Sequence, residues 1–330
     1  MSAAPNRRLV AVVLLVPFVV ALVLWAFAWP AARMAPRDLP VGVIGSGPAA
    51  DQLQNRLEAR DGAFEIHRYD SGAAARTAIE HRTVYGAVAV TARGPELLTA
   101  SAASPVVAQL LHDAVAAQAP DGAAVPVTDV VAAPAADPRG SVLGSSILPL
   151  AIAGVATGAA VTLLGLRGGR AAAALLGVAA LAGMVAAALT DSWLGVLTGD
   201  WWSEAGAFGL TVLAIGATVA GLAALIGTAG VGLGSLVMVL VGNPFSGVTS
   251  APELLPRPIG AIGQWLPPGA GGSLLRSVAF FDGNAVGLPL LALSLWAVLG
   301  LVAALVGGRR RGASTATPAA APERRPALAG

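Results

Sequence analysis

The residues with the strongest claim to chemistry lie in Val41–Ala50, which reads VGVIGSGPAA: a G-x-G-x-x-A turn that follows an apolar run and opens a helical one. Such a turn lets a dinucleotide pyrophosphate approach the backbone at a helix N-terminus, and Asp70, at the end of the next strand-like run, stands where a ribose-binding acid belongs. Backbone geometry explains the same residues without a ligand, because Gly suits a tight turn, Pro48 suits a first helical turn, and Ala50 replaces the third glycine. His67, His81 and His112 are the three histidines. Scattered singly, without H-E-x-x-H or Asp/His clustering, they read as surface or core-edge residues rather than metal ligands. All 20 basic side chains are arginine and there is no cysteine, so a phosphate-loop Lys, a Schiff-base Lys, a thiol nucleophile, a thiolate metal site and a disulfide are all excluded. No G-x-S-x-G occurs either. The chain is read as a non-enzyme with no catalytic residue, no metal and no cofactor.

The elements that must position these residues are dominated by five apolar stretches free of charge: Leu9–Trp29, Ser145–Leu166, Ala171–Thr190, Ala207–Gly242 and Ala285–Gly308. A helix crosses the hydrocarbon core with about 20 residues, so the 36-residue stretch reads as two helices joined near Gly227–Gly230, giving six spans. Arg7 and Arg8, Arg167 and Arg170, and Arg309–Arg311 flank the same ends of these spans, which places both termini in the cytoplasm. Nine of the 20 arginines but only one of the 18 acids, Glu323, then fall inside. Arg33 and Arg37, just outside the first span, are the discordant pair. Trp25, Trp29, Trp193, Trp201, Trp202 and Trp265 fall at or beyond the outer helix ends, as interfacial indoles do. The first stretch, 21 residues long and ending in Trp29-Pro30, is read as an uncleaved signal-anchor rather than a signal peptide. A pI of 9.9 reflects the cytoplasmic arginines, which suits contact with anionic membrane lipid and not nucleic acid. Lysine-free, Ala/Gly-rich usage points to a high-GC bacterial genome, and the chain is read as a multi-pass protein of a bacterial plasma membrane.

Residues 30–144 are long enough to bury a core outside the membrane. Leu39–Ile44, Phe64–Tyr69, Tyr85–Val90, Glu96–Thr99 and Val125–Val131 read as strands; Ala49–Arg60, Gly72–His81 and a helix capped by Ser104 and running to about Gln118 alternate with them. Alternation of this kind predicts an extracytoplasmic α/β domain with a largely parallel sheet, able to fold on its own. The fold class is thus a polytopic α-helical membrane protein with an inserted extracytoplasmic α/β domain: residues 1–29 an anchor helix, 30–144 the α/β domain, 145–308 five helices, and 309–330 a disordered cytoplasmic tail.

Within the membrane part, Gly154/Gly158 and Gly230/Gly234 form G-x-x-x-G pairs, read either as packing inside the bundle or as a dimer seam. No ionisable residue lies inside the apolar stretches, which argues against an ion-coupled pump. Residues 243–284 are too polar and Pro-rich to span and are read as short amphipathic pieces in or dipping into the outer interface. Asn243-Pro244-Phe245-Ser246-Gly247, Leu255-Pro256 and Leu266-Pro267-Pro268 stand out there.

This order of parts, with Pro40–Gly45, Tyr85–Val90, Asp137–Gly140 and Asn243–Pro268, resembles the ABC-2 type transporter permease family, in particular its phage infection protein-like branch. The resemblance implies the membrane half of an exporter, paired as a homo- or heterodimer with a separate cytoplasmic ABC ATPase and moving an amphipathic or envelope-related substrate outward. Asn243, Pro244, Phe245, Ser246, Gly247 and Trp265 are then the substrate-path candidates. One departure keeps a second reading open: the loop Arg167-Gly168-Gly169-Arg170 leaves little for an ATPase to engage. That alternative is a non-transporting anchor or receptor that presents the α/β domain to an envelope partner.

Overall fold

The computed structural model describes residues 4–91, 94–117 and 125–314, the side chains of 4–8 and 308–314 excepted. Helix α1 (Ala4–Ala32) is followed by an α/β layer built of β1 (Leu39–Ile44), α2 (Pro48–Glu58), β2 (Phe64–Tyr69), α3 (Gly72–Glu80), β3 (Gly86–Thr91), β4 (Gly94–Thr99), α4 (Pro105–Ala116) and β5 (Val127–Asp129). The sheet order is β2-β1-β3-β4-β5, parallel throughout except for the β3/β4 hairpin. Ser71 and Ser104 cap α3 and α4 by accepting from the backbone N–H three residues on, which satisfies a donor the helix cannot.

The bundle comprises α5 (Ser141–Leu163), α6 (Gly169–Ala187), which ends in a π-helical turn at Ala188–Trp193, α7 (Trp201–Ile226), α8 (Thr228–Ser235), which runs on as a π-helical turn to Gly242, and α11 (Gly287–Ser314). Between them α9 (Ile259–Trp265) and α10 (Pro267–Phe280) intervene. Five helices are long and apolar enough to cross a membrane: Leu9–Ala32, Ser141–Leu163, Gly169–Trp193, Trp201–Ile226 and Gly287–Gly307. The expected sixth is shorter. Gly227, at φ 78, ends α7 and starts α8, so the apolar remainder Thr228–Gly242 spans roughly 22 Å at the helical rise, against a core of about 30 Å. The last helix also passes the expected boundary at 308 and reaches Ser314, while 315–330 of the expected tail lie outside the described residues.

Helix α7 is the hub, with Phe208, Val212 and Ile215 fully buried among α5, α6, α10 and α11. The backbones approach closely because small residues line the seams: a Cβ on Gly158 would fall 2.6 Å from the Gly216 carbonyl oxygen, and one on Gly183 would fall 2.2 Å from that of Ala205. Gly154 faces Ile215 of α7, Gly230 faces the Leu222–Ala223 backbone and Gly234 faces Val219. All four G-x-x-x-G glycines are therefore occupied within the chain. By contrast α1 keeps most side chains from Leu9 to Trp25 exposed, Leu14 at 67 %.

Helix α7 also begins earlier than its apolar stretch, because Asp200 caps it through the Ser203 N–H. This places Glu204 in the first turn, fully buried, with Oε1 accepting from the Gly199 N–H and Oε2 without a partner among the described residues. The charge-free expectation holds for 207–242 but not for the helix as folded.

At the start of α5, Asp137 accepts from the Ser141 and Val142 N–H groups and the Ser141 hydroxyl. Burial pushes its carboxyl up, but these hydrogen bonds and Arg139 outweigh it and hold the pKa below the usual value. A folded pKa below the unfolded one stabilises above the ordinary carboxylate range, and the contribution is lost as pH falls through the folded value. Asp137→Ala is expected to cost about 1–3 kcal/mol at neutral pH, with the gap to wild type closing in acid, as followed by thermal melts in detergent.

Candidate functional site

The segment between α8 and α11 packs one face into the bundle and leaves Ile262 and Trp265 exposed on the other. In α9 and α10, a Cβ on Gly260 would fall 2.0 Å from the Pro252 carbonyl oxygen, and one on Gly263 would fall 1.7 Å from that of Phe245. Gly271 meets Thr211, which is about 15 Å along α7 from Trp201 at the helical rise. The chain breaks between α9 and α10 at Leu266 (φ −90°, ψ 145°), and Trp296, about 14 Å into α11, donates its Nε1–H to the Trp265 carbonyl at 2.7 Å. Thus α9 runs into the bundle and α10 returns, with Pro267-Pro268 at the turn supplying no N–H to satisfy. The resulting hairpin enters the bundle to the level of Thr211 on α7 and Trp296 on α11, roughly 15 Å from the ends of those helices at the helical rise.

Above this hairpin, at its junction with the sheet, lies a cavity of about 320 Å³ lined by Arg82, Tyr85, Glu253, Gln264 and Ser273 among others. Arg82 Nη1 donates to the Ser273 carbonyl at 3.0 Å and the Ser277 hydroxyl at 2.5 Å, and its guanidinium lies over the Phe281 ring. Tyr85 donates to Glu253 Oε2 at 2.8 Å. Gln264 donates to the Ser246 carbonyl and accepts from Ser273, which ties the 243–247 turn to the hairpin. Arg276, buried on α10, donates to the Val248 carbonyl at 2.8 Å. Burial lowers the Arg82 pKa, but an arginine guanidinium keeps its proton inside proteins, so Arg82 and Arg276 both stay cationic at neutral pH. Burial, then Glu253, pushes the Tyr85 hydroxyl above the usual phenol range, so it remains a donor.

The substrate-path candidates separate. Asn243, Pro244, Ser246 and Gly247 line a groove of about 420 Å³ between α1 and α5, facing Phe27, Met34 and Leu148. Trp265 lines a different groove, along α9, with Arg257, Leu255 and Leu288. Phe245 presents its carbonyl to Gly263. The discordant Arg37 acts as a clamp here, donating to the Leu254, Ala35 and Arg33 carbonyls, while Arg257 pairs with Asp38.

The G-x-G-x-x-A turn forms with Gly45 and Gly47 at φ 101 and 111. Its helix start carries its own acid, Asp51, paired with Arg68 at 2.7 Å, and Arg68 also donates to the Gly45 carbonyl. An acid in that first turn already complements the helix dipole. His67 lies 3.4 Å from Glu65 and His112 lies 3.4 Å from Asp113; no group of three or more His, Cys, Asp or Glu is placed to hold a metal among the described residues.

Sequence reading missed the cavity because Arg82, Glu253 and Ser273, which line it, come from distant segments, as does Arg276 behind it. One signal was present: Arg276 is the lone charge between Arg257 and Asp282. Comparison with protein-family models, curated proteins and solved structures finds no match.

Proposed function

We propose that this chain is the membrane-embedded permease half of an ABC-2-like exporter, working as a dimer with a separate cytoplasmic ATPase and moving amphipathic or envelope-related molecules outward. In this reading the sheet end faces outside a bacterial plasma membrane, α8 completes a sixth span, and both termini are cytoplasmic. The observation that carries it is the broken hairpin α9/α10 packed inside the bundle beside a polar cavity; in this reading it lies about halfway through the apolar core, and discontinuous helices at that depth mark substrate paths in membrane transporters.

The test is outward movement of a fluorescent amphiphile in cells, read as the fraction accessible to an impermeant quencher. Cells making the chain should expose severalfold more than cells lacking it, and Gln264→Leu with Ser273→Val, which removes the polar wall, should return the signal to baseline. Equal exposure with and without the chain would sink the proposal.

A second reading, a non-transporting anchor or receptor for an envelope partner, is favoured by the turn between α5 and α6. Only residues 164–168 join these helices, so no surface helix is offered to an ATPase there. It expects partner binding at the sheet to survive the cavity-wall substitutions.

A further inference from the structure

We propose that the cavity between sheet and hairpin holds the anionic headgroup, phosphate or carboxylate, of an amphiphile whose chain lies in the groove along α9. This rests on the exporter reading and names its substrate class.

The charge count comes first. Arg82 lines the cavity and Arg276 lies behind it on α10, close enough to interact electrostatically with Arg82, Tyr85 and Glu253; the single carboxylate among them, Glu253, already accepts from Tyr85 through one oxygen. Arg276 is buried and Arg82 half-buried, and an excess of positive charge partly removed from water is costly unless an anion enters to pair with it. Arg82 has spare donors: Nη1 bonds Ser273 and Ser277, while Nη2 has no acceptor among the described residues.

Backbone strain points the same way. Arg82 follows α3 at φ 58, the left-handed position where a helix usually places glycine, and its N–H bonds the Ile79 carbonyl. A non-glycine residue there is unfavourable, and it persists at a position whose side chain aims into a cavity.

The groove supplies the apolar half. It is lined by Leu255, Pro256, Trp265 and Leu288, encloses about 500 Å³, and shares Pro252, Glu253, Gln264 and Leu288 with the cavity, so head and chain sites are continuous.

The experiment uses the full chain in nanodiscs of phosphatidylcholine alone or of equimolar phosphatidylcholine and phosphatidylglycerol, with lipid retained on the released protein measured by native mass spectrometry. Wild type should retain phosphatidylglycerol over phosphatidylcholine. Arg82→Gly relieves the backbone while removing the charge, and should lower that preference by about tenfold, the size of one charge-assisted contact. Glu253→Gln keeps an acceptor for Tyr85 but removes the competing charge, and should raise the preference, a change that a merely structural glutamate would not produce. Equal retention of both lipids, a preference intact in Arg82→Gly, or a preference lowered by Glu253→Gln would each overturn the proposal. Displacement by inorganic phosphate as effective as by short-chain phosphatidylglycerol would overturn the amphiphile assignment. Headgroup selection without transport would sink the exporter reading alone; transport without selection would sink this site alone.

Discussion

Gly263→Ala is expected to abolish the folded hairpin. The added methyl would lie 1.7 Å from the Phe245 carbonyl oxygen and 2.5 Å from its carbon. Both are backbone atoms, so no side-chain rotation relieves the overlap; α9 or the 243–247 turn must move. Moving either parts Gln264 from the Ser246 carbonyl, and moving α9 also disturbs the close approach of Gly269 to the Gly263 carbonyl. The cost should exceed about 3 kcal/mol, the upper end of ordinary overpacking. Detergent extracts of this variant should show aggregated or absent protein on size exclusion. Gly177→Ala, where a methyl meets nothing within 4 Å, should elute and melt like wild type or slightly higher. A monodisperse Gly263→Ala with a normal melt would refute the close packing of α9.

Residues 30–144 expressed alone are expected to lack a cooperative melt. The sequence suggests an independent layer, but one face of the sheet is completed by Ala251 and Leu254, and the other by Phe281. Losing the burial of Leu254 and Phe281 and the surface they cover removes about 3–6 kcal/mol, comparable to the whole stability of a domain this size. Tyr85 and Arg82 would also lose Glu253, Ser273 and Ser277 as partners. The fragment should bind a hydrophobic dye and melt without a transition, and full-length Leu254→Ala should unfold about 2–4 kcal/mol more easily. A sharp calorimetric transition in the fragment would overturn the shared core.

Much of the layer was legible locally. Strands β1 and β2 fall on Leu39–Ile44 and Phe64–Tyr69 as read, because their apolar patterns are bounded by turn residues, and Ser104 caps α4 as its type suggests. The start of α7 was misplaced because apolarity was followed and the cap at Asp200 was not, which hid Glu204. The length of α8 was not legible either: a glycine such as Gly227 announces a break, but not how the 36 apolar residues divide around it. The G-x-G-x-x-A turn was drawn with correct geometry, and what decides its role is Arg68, far along the chain, lying across it. The cavity was invisible for the same reason, since Arg82 and Glu253 meet only after five helices have been placed between them.

The shared core also sets a timetable for biogenesis. Strand β5 ends at Asp129, yet the last residue packed against the sheet is Phe281, so roughly 150 further residues must leave the ribosome first, about 8–30 s at ordinary elongation rates. Through that interval the core that holds Leu39, Val41 and Leu97 has α2 and α4 over it but lacks Ala251 and Leu254. Its maturation therefore waits on synthesis of α5 to α10, and a ribosome stalled before residue 251 is expected to leave a protease-sensitive layer.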